Sequence, residues 1–243
     1  VLGAVRRHLV ERFWRLQERL TIERSLQLER SRMLTFAVQF VSYNEMEGDY
    51  LEFGVYSGRT FRHCHRAQRL FRGSMHAYLV DSFAGLPEPS GPDADGPFAK
   101  GQYAMSQEQL AALFDRQGIP RADYTFVPGF YADLLRDHAF DRLPLERAAL
   151  VHFDCDLYAS ARDALALAAP YLQTGTVCLF DDFYCFRARS DRGEQRALRE
   201  FEAGHPQVRL KPWRPYHWAG MSFFVERASE GDSSKVPAQD EPG

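Results

Sequence analysis

The sequence has no uninterrupted apolar run near the ~20 residues that a membrane-spanning helix needs, so a helical membrane span is not expected. It has no basic excess either: 30 Lys and Arg stand against 33 Asp and Glu, for a net charge of −3. Domains that bind nucleic acid in bulk are usually clearly basic, so no nucleic-acid partner is expected. Cysteine is sparse. Cys64, Cys155, Cys178 and Cys185 are scattered without the spacing of a disulfide framework, which points to a reduced, cytoplasmic setting. The opening Val1-Leu2-Gly3-Ala4-Val5 runs straight into Arg6 and Arg7 and lacks the long apolar region and cleavage site of a secretory signal. Also missing is the G-x-G-x-x-G fingerprint of dinucleotide-binding folds. What is present is a 243-residue chain that is 45% hydrophobic and 26% charged. That supports a sizeable core, in one large domain or two small ones, and excludes a disordered chain.

The first forty-odd residues read as a helix, with Leu9, Phe13, Leu16 and Leu20 at helical spacing. Glu11, Glu18, Glu23 and Glu29 interleave with the arginines, which describes a solvated helix or one between subunits rather than a membrane surface. A homo-oligomer through this helix is one expectation. Residues 229–243, rich in Ser, Asp, Glu, Pro and Gly, read as a disordered tail. Between these ends, short apolar strands alternate with helices. Strands are expected near residues 50–55, 76–81, 124–127, 148–154 and 176–181. Two more, 208–211 and 221–227, form an antiparallel pair joined through Pro212 to Gly220. Alternation of this kind means βαβ units and a mostly parallel sheet. Residues 82–106 read as a long loop of the kind that is functional or disordered. His63-Cys64-His65 looks like a metal cluster, but adjacent residues on a helix diverge and no partner motif lies near.

Gly54, Asp81, Asp154 and Asp181 fall at the carboxyl ends of expected strands, where open α/β sheets bind ligands. In Glu52-Phe53-Gly54-Val55-Tyr56-Ser57-Gly58-Arg59-Thr60, Tyr56 stands where a second fingerprint glycine would be. Glu52 disfavours a pyrophosphate there and suits a ligand carrying positive charge, such as the amino group of a methionine-derived cofactor. Asp81 is placed to accept from ribose hydroxyls, or to cap its own loop with Ser82. Asp154, Asp156, Asp181 and Asp182 crowd two adjacent strand ends. Unpaired carboxylates near a low-dielectric core need a compensating cation. An oxygen-only set suits Mg²⁺ or Ca²⁺; alternatively these aspartates are helix N-caps, a role that fits Asp156 before Tyr158.

Taken together, Gly48-Asp49-Tyr50-Leu51-Glu52-Phe53-Gly54-Val55-Tyr56-Ser57-Gly58, Asp81-Ser82-Phe83-Ala84-Gly85-Leu86-Pro87, Phe153-Asp154-Cys155-Asp156-Leu157-Tyr158 and Phe180-Asp181-Asp182-Phe183 resemble the macrocin O-methyltransferase family. The resemblance implies a Rossmann-like class I methyltransferase: a seven-stranded, mostly parallel sheet with helices on both faces and an antiparallel C-terminal hairpin. It covers roughly Asp49 to Phe201, and the chain as a whole is expected to divide into a helical extension (1–46), a methyltransferase domain (47–228) and the tail. It implies S-adenosylmethionine and Mg²⁺ as cofactors and a hydroxyl of a small-molecule acceptor, such as a natural-product sugar, as substrate. Glu52 and Gly54 would hold the methionine portion, Asp81 the ribose, and Gly129 and Phe130 would lie near the adenine. Tyr56, Ser57, Gly58, Thr60 and Ser82 complete the expected cofactor set. Asp154, Asp181 and Asp182 would hold the metal, and Asp154 and His217 are the candidate bases. Catechol O-methyltransferase, with a similar metal triad, has a lysine base three residues after its first aspartate; here that position is Leu157. His152, inside a strand, reads as structural. The loop 87–106 and the hairpin 212–220 are expected to shape the acceptor site. Two other classes stay in view, a nucleotide-dependent dehydrogenase and a catalytically silent scaffold with this fold.

Overall fold

The computed structural model describes residues 2–94 and 96–228; the expected tail lies outside them. In chain order the elements are α1 (Leu2–Tyr43), β1 (Asp49–Phe53), α2 (Arg59–Phe71), β2 (Ala77–Asp81), α3 (Gln107–Arg116), β3 (Tyr124–Pro128), α4 (Tyr131–Arg136), β4 (Ala148–Phe153), α5 (Tyr158–Ala168), β5 (Leu172–Phe180), α6 (Gly193–Gly204), β6 (Val208–Tyr216) and β7 (Gly220–Arg227). The strands form one seven-stranded sheet in the order β3-β2-β1-β4-β5-β7-β6. All neighbours are parallel except β7, which runs antiparallel to both β5 and β6. This is the fold class expected from the alternation of strands and helices.

The sheet buries both faces, as a parallel sheet must. Tyr158, Ala161, Ala164 and Leu165 of α5, with Leu134 of α4 and Leu198 and Phe201 of α6, cover one face. Phe61 and Cys64 of α2, Leu110 and Phe114 of α3, and Met33, Leu34, Ala37, Val38 and Val41 of α1 cover the other. The last third of α1 is therefore part of the core. Further up the same helix, Val10, Phe13, Trp14 and Leu16 are exposed. The four cysteines are buried free thiols. His63 and His65 diverge as expected: His63 Nε2 lies 2.9 Å from the Thr35 hydroxyl, and His65 Nε2 lies 2.8 Å from Asp123.

Three phenylalanines fix the plane of the strand ends. Phe53, Phe153 and Phe180 are register partners across β1, β4 and β5. Their rings stack with centroids 5.4 and 4.6 Å apart, and Phe223 of β7 meets Phe180 edge-on. Because the three are in register, the residues that follow them (Gly54, Asp154 and Asp181) emerge side by side. The Asp154 amide donates to Phe53 O and the Asp181 amide to Phe153 O.

The structure corrects two local readings. Strand β6 continues through Pro212 and Pro215 to Tyr216, with a bulge between them, where a loop was expected. As the edge strand, it tolerates residues without an N–H. Asp156 does not cap α5. Leu157 holds the N-cap position without a side-chain bond, and the orphan amides are satisfied from the long loop instead. Asp93 Oδ1 accepts from the Tyr158 N–H at 2.8 Å, and Oδ2 from the Ala159 N–H at 3.2 Å. Asp93 is buried. The loop is also held at its base by backbone bonds between Leu86 and residues Gly101 and Gln102, and by Arg192 donating to Pro92 O. It is therefore a fastened flap. Asp93→Ala removes a buried cap and is expected to cost about 2 kcal/mol, roughly 4–8 °C in Tm for a domain of this size. A thermal melt checks this, and limited proteolysis of the loop should accelerate in step.

Candidate functional site

A cleft of about 560 Å³ opens at the carboxyl edge of β1, β2, β4 and β5, where the strand order reverses between β1 and β4. The turn after β1 forms one wall. Gly54 sits at φ 88°, and a Cβ built there would lie 2.0 Å from the Asp154 carbonyl oxygen, so only glycine lets β1 and β4 close up at this point. Asp81 organises this wall from the end of β2. Its Oδ2 accepts from the Val55 and Tyr56 N–H groups at 2.7 and 3.2 Å, and its Oδ1 from the Phe83 N–H at 2.7 Å. Ser82 closes its own turn by donating to Gly85 O. The tip of the flap arches over this wall, with the Tyr103 ring against Tyr56 at 5.5 Å.

Of the expected cofactor residues, Gly54, Tyr56, Ser57, Thr60, Asp81, Ser82, Gly129 and Phe130 all line the cleft. Two do not. A Cβ on Gly58 would meet the Phe114 ring at 2.6 Å, so this glycine serves the packing of α2 on α3. Glu52 is fully buried beneath the floor, where its Oε2 accepts from the Tyr50 hydroxyl at 2.6 Å. Burial, only partly offset by that hydroxyl, pushes its carboxyl up to about 8.

Asp154, Asp156, Asp181 and Asp182 make up the opposite wall. Their environments separate them. Burial would raise Asp181, but the imidazoles of His152 and His217 and the Arg30 guanidinium outweigh it and hold the carboxyl well below the usual range. Arg30, from α1, grips both oxygens: Nε donates to Oδ1 at 2.7 Å and an Nη to Oδ2. His217 Nε2 approaches Oδ1 at 3.2 Å. His152 Nε2 lies 3.7 Å away. The other carboxyls move the opposite way. Burial and the charges of Asp181 and Asp182 push Asp154 well up, burial with Asp182 and Asp154 takes Asp156 to about 10, and burial with Asp181 takes Asp182 to about 6. Glu194, behind them, is raised by burial and by Asp182. One Asp182 oxygen and one Glu194 oxygen are buried without a partner.

His217 does reach the acidic wall, as a base would have to, but both ring nitrogens are engaged. Nε2 faces Asp181, and Nδ1 accepts from the Ala219 N–H at 3.1 Å. In the hairpin expected to shape the acceptor site, Trp213 packs within the hairpin, its ring 4.6 Å from Phe224. Trp218 is exposed. Sequence reasoning missed Arg30 and Gln27, which line the cleft from α1, and Asp93. Arg30 had been one of many arginines on an outer helix, with nothing in its spacing to single it out. No described helix is long and apolar enough to cross a membrane.

A sheet in this order, with its cleft at the β1/β4 switch point, is a class I methyltransferase fold. It is shared with the O-methyltransferase NovP (TM-score 0.64, 22% identity, 81% of this chain and 79% of that one). It is also shared with the O-methyltransferase TomG from Streptomyces achromogenes, solved in complex with SAM (TM-score 0.53, 15% identity, 82% and 80% covered). Residues 26–206 match the family described as Macrocin-O-methyltransferase (TylF), and the chain belongs to that family. A curated relative is the 8-demethyl-8-(2,3-dimethoxy-alpha-L-rhamnosyl)-tetracenomycin-C 4'-O-methyltransferase of Streptomyces olivaceus, 30% identical over 164 residues, covering 64% of this chain and 60% of that protein. The chain spans about three fifths of the length of the curated relatives it matches.

Proposed function

We propose that this protein transfers a methyl group from S-adenosylmethionine to a hydroxyl of a small-molecule acceptor, with a natural-product sugar as the acceptor class. The observation that carries the reading is the register of the strand ends. In a chain of this family, it sets the glycine turn and Asp81 on one side of a single cleft and four aspartates on the other. S-adenosylmethionine supplies a methyl group on a positively charged sulfur, with its own driving force. The protein's part is alignment and proton removal. Asp81, already fixed by three backbone N–H groups, keeps lone pairs for a ribose diol. The bare backbone at Gly54 admits the methionine portion close to the sheet. The fixed amide of Gly129, donating to Asp81 O at 2.9 Å, sets the far end of the cleft. Asp154, lining the cleft opposite the glycine turn, is the proposed general base, and it must ionise against the burial and like charges that raise it before it can take the hydroxyl proton. His217 orients Asp181.

The Mg²⁺ site implied by the family resemblance does not fit the residues as they stand. Asp181 has both oxygens gripped by a guanidinium and a third contact from His217. Among the described residues, no group of three His, Cys, Asp or Glu side chains is placed to hold a metal ion. No step here runs through a metal.

Calorimetry with S-adenosylmethionine on the full chain tests the reading. Saturable binding is expected, weakened more than tenfold in Asp81→Ala and little changed in Asp182→Asn. Absence of binding by the folded wild-type chain sinks it.

A further inference from the structure

The acidic wall needs a cation, and the structure already holds one. Of the carboxylates on that wall, Asp181 is the one gripped through both oxygens, and the group that grips it is Arg30, 151 residues away in sequence. The contact is bidentate, the geometry in which a guanidinium matches a carboxylate best. It is also fixed from behind, since α1 is anchored in the core a turn later by Met33 and Leu34, both almost fully buried. A divalent ion at Asp181 would have to sit against this guanidinium, at a separation where two positive charges repel strongly.

We infer that Arg30 is the resident counter-cation of the crevice, occupying Asp181 in place of a metal ion and making α1 part of the site. Arg30 is then a positioning residue: it acts through Asp181. Its charge does for that carboxylate what a hard metal ion would do, without depending on metal supply. The inference concerns the cation at Asp181 and stands apart from the identity of the methyl acceptor.

Mn²⁺ titration of the full-length protein, followed by the electron paramagnetic resonance of the free ion, tests it. Wild type should show no Asp181-dependent binding in the micromolar range. Arg30→Gln, which keeps the reach but removes the charge, should bind Mn²⁺ at least tenfold more tightly, and adding Asp181→Asn should abolish that gain. Arg30→Lys, whose single ammonium cannot cover both oxygens, should fall between them; it serves as the second variant if Arg30→Gln does not fold. Thermal melts identify the folded variants. Micromolar Mn²⁺ binding by wild type that Asp181→Asn removes would overturn the inference. So would Arg30 variants that bind no more tightly than wild type, since an arginine that merely supported a metal ligand would weaken binding when lost.

Discussion

Gly54→Ala is expected to cost at least about 3 kcal/mol and to abolish S-adenosylmethionine binding. The added methyl would lie 2.0 Å from the Asp154 carbonyl oxygen, a contact no rotamer can relieve because both partners are backbone-fixed. The residue also sits at φ 88°, outside the regions an L side chain occupies readily. Left-handed strain accounts for about 1–2 kcal/mol, and overpacking typically adds 1–3 kcal/mol. Relief requires the end of β1 to part from β4. Those two strand ends carry the opposing walls of the cleft, so the same displacement moves the turn amides away from Asp81. A urea melt measures the stability loss and calorimetry the binding loss. A variant that is destabilised but binds normally would show that the turn is a packing device and not a cofactor wall. For a domain of this size, 3 kcal/mol corresponds to roughly 6–12 °C in Tm, well within measurement.

The strand ends were legible in the sequence because each is an apolar run stopped by a single change of chemistry. Phe53 gives way to Gly54, Phe153 to Asp154 and Phe180 to Asp181. An apolar run reports burial, and its last large residue marks where the sheet leaves the core. The parallel direction of the strands followed from the intervening helices; their order did not. The contacts that complete the site were not legible, because they join segments whose separation carries no period. Arg30 reaches Asp181 across 151 residues, and Asp93 reaches Tyr158 across 65. Asp156 illustrates the ambiguity. An aspartate two residues before a helix has the sequence signature of a cap, yet the backbone places it at φ 59°, lining the cleft, and another carboxylate does the capping. Glu52 shows the reverse case. A charged residue beside a glycine turn suggests a ligand, but strand alternation turns it under the sheet, where Tyr50 receives it. Composition could say that a cation was needed among the aspartates. It could not say that the chain would supply one from its first helix.

Asp181→Ala should be among the most destabilising single substitutions in this chain, at about 3–5 kcal/mol, the range for removing one partner of a buried ion pair. Three basic groups converge on this carboxylate from three parts of the fold: Arg30 from α1, His152 from β4 and His217 from the hairpin. Removing it leaves the Arg30 guanidinium, 24% exposed, without the carboxylate that two of its nitrogens engage. Replacing both members removes that penalty, so Arg30→Met combined with Asp181→Leu should be markedly more stable than the sum of the singles. A double-mutant cycle read by urea melts at constant m-value should give a coupling of about 1–3 kcal/mol. The pH dependence has a definite sign. A carboxyl held below its unfolded value contributes stability that is complete above the unfolded value and is lost as pH falls through the folded one. The gap between wild type and Asp181→Ala should therefore stay constant from pH 8 down to about 5, and close only in acid below the ordinary carboxylate range. A gap that changed with pH anywhere between about 8 and 5 would mean that Arg30, charged throughout that range, is not the principal cation of the cluster.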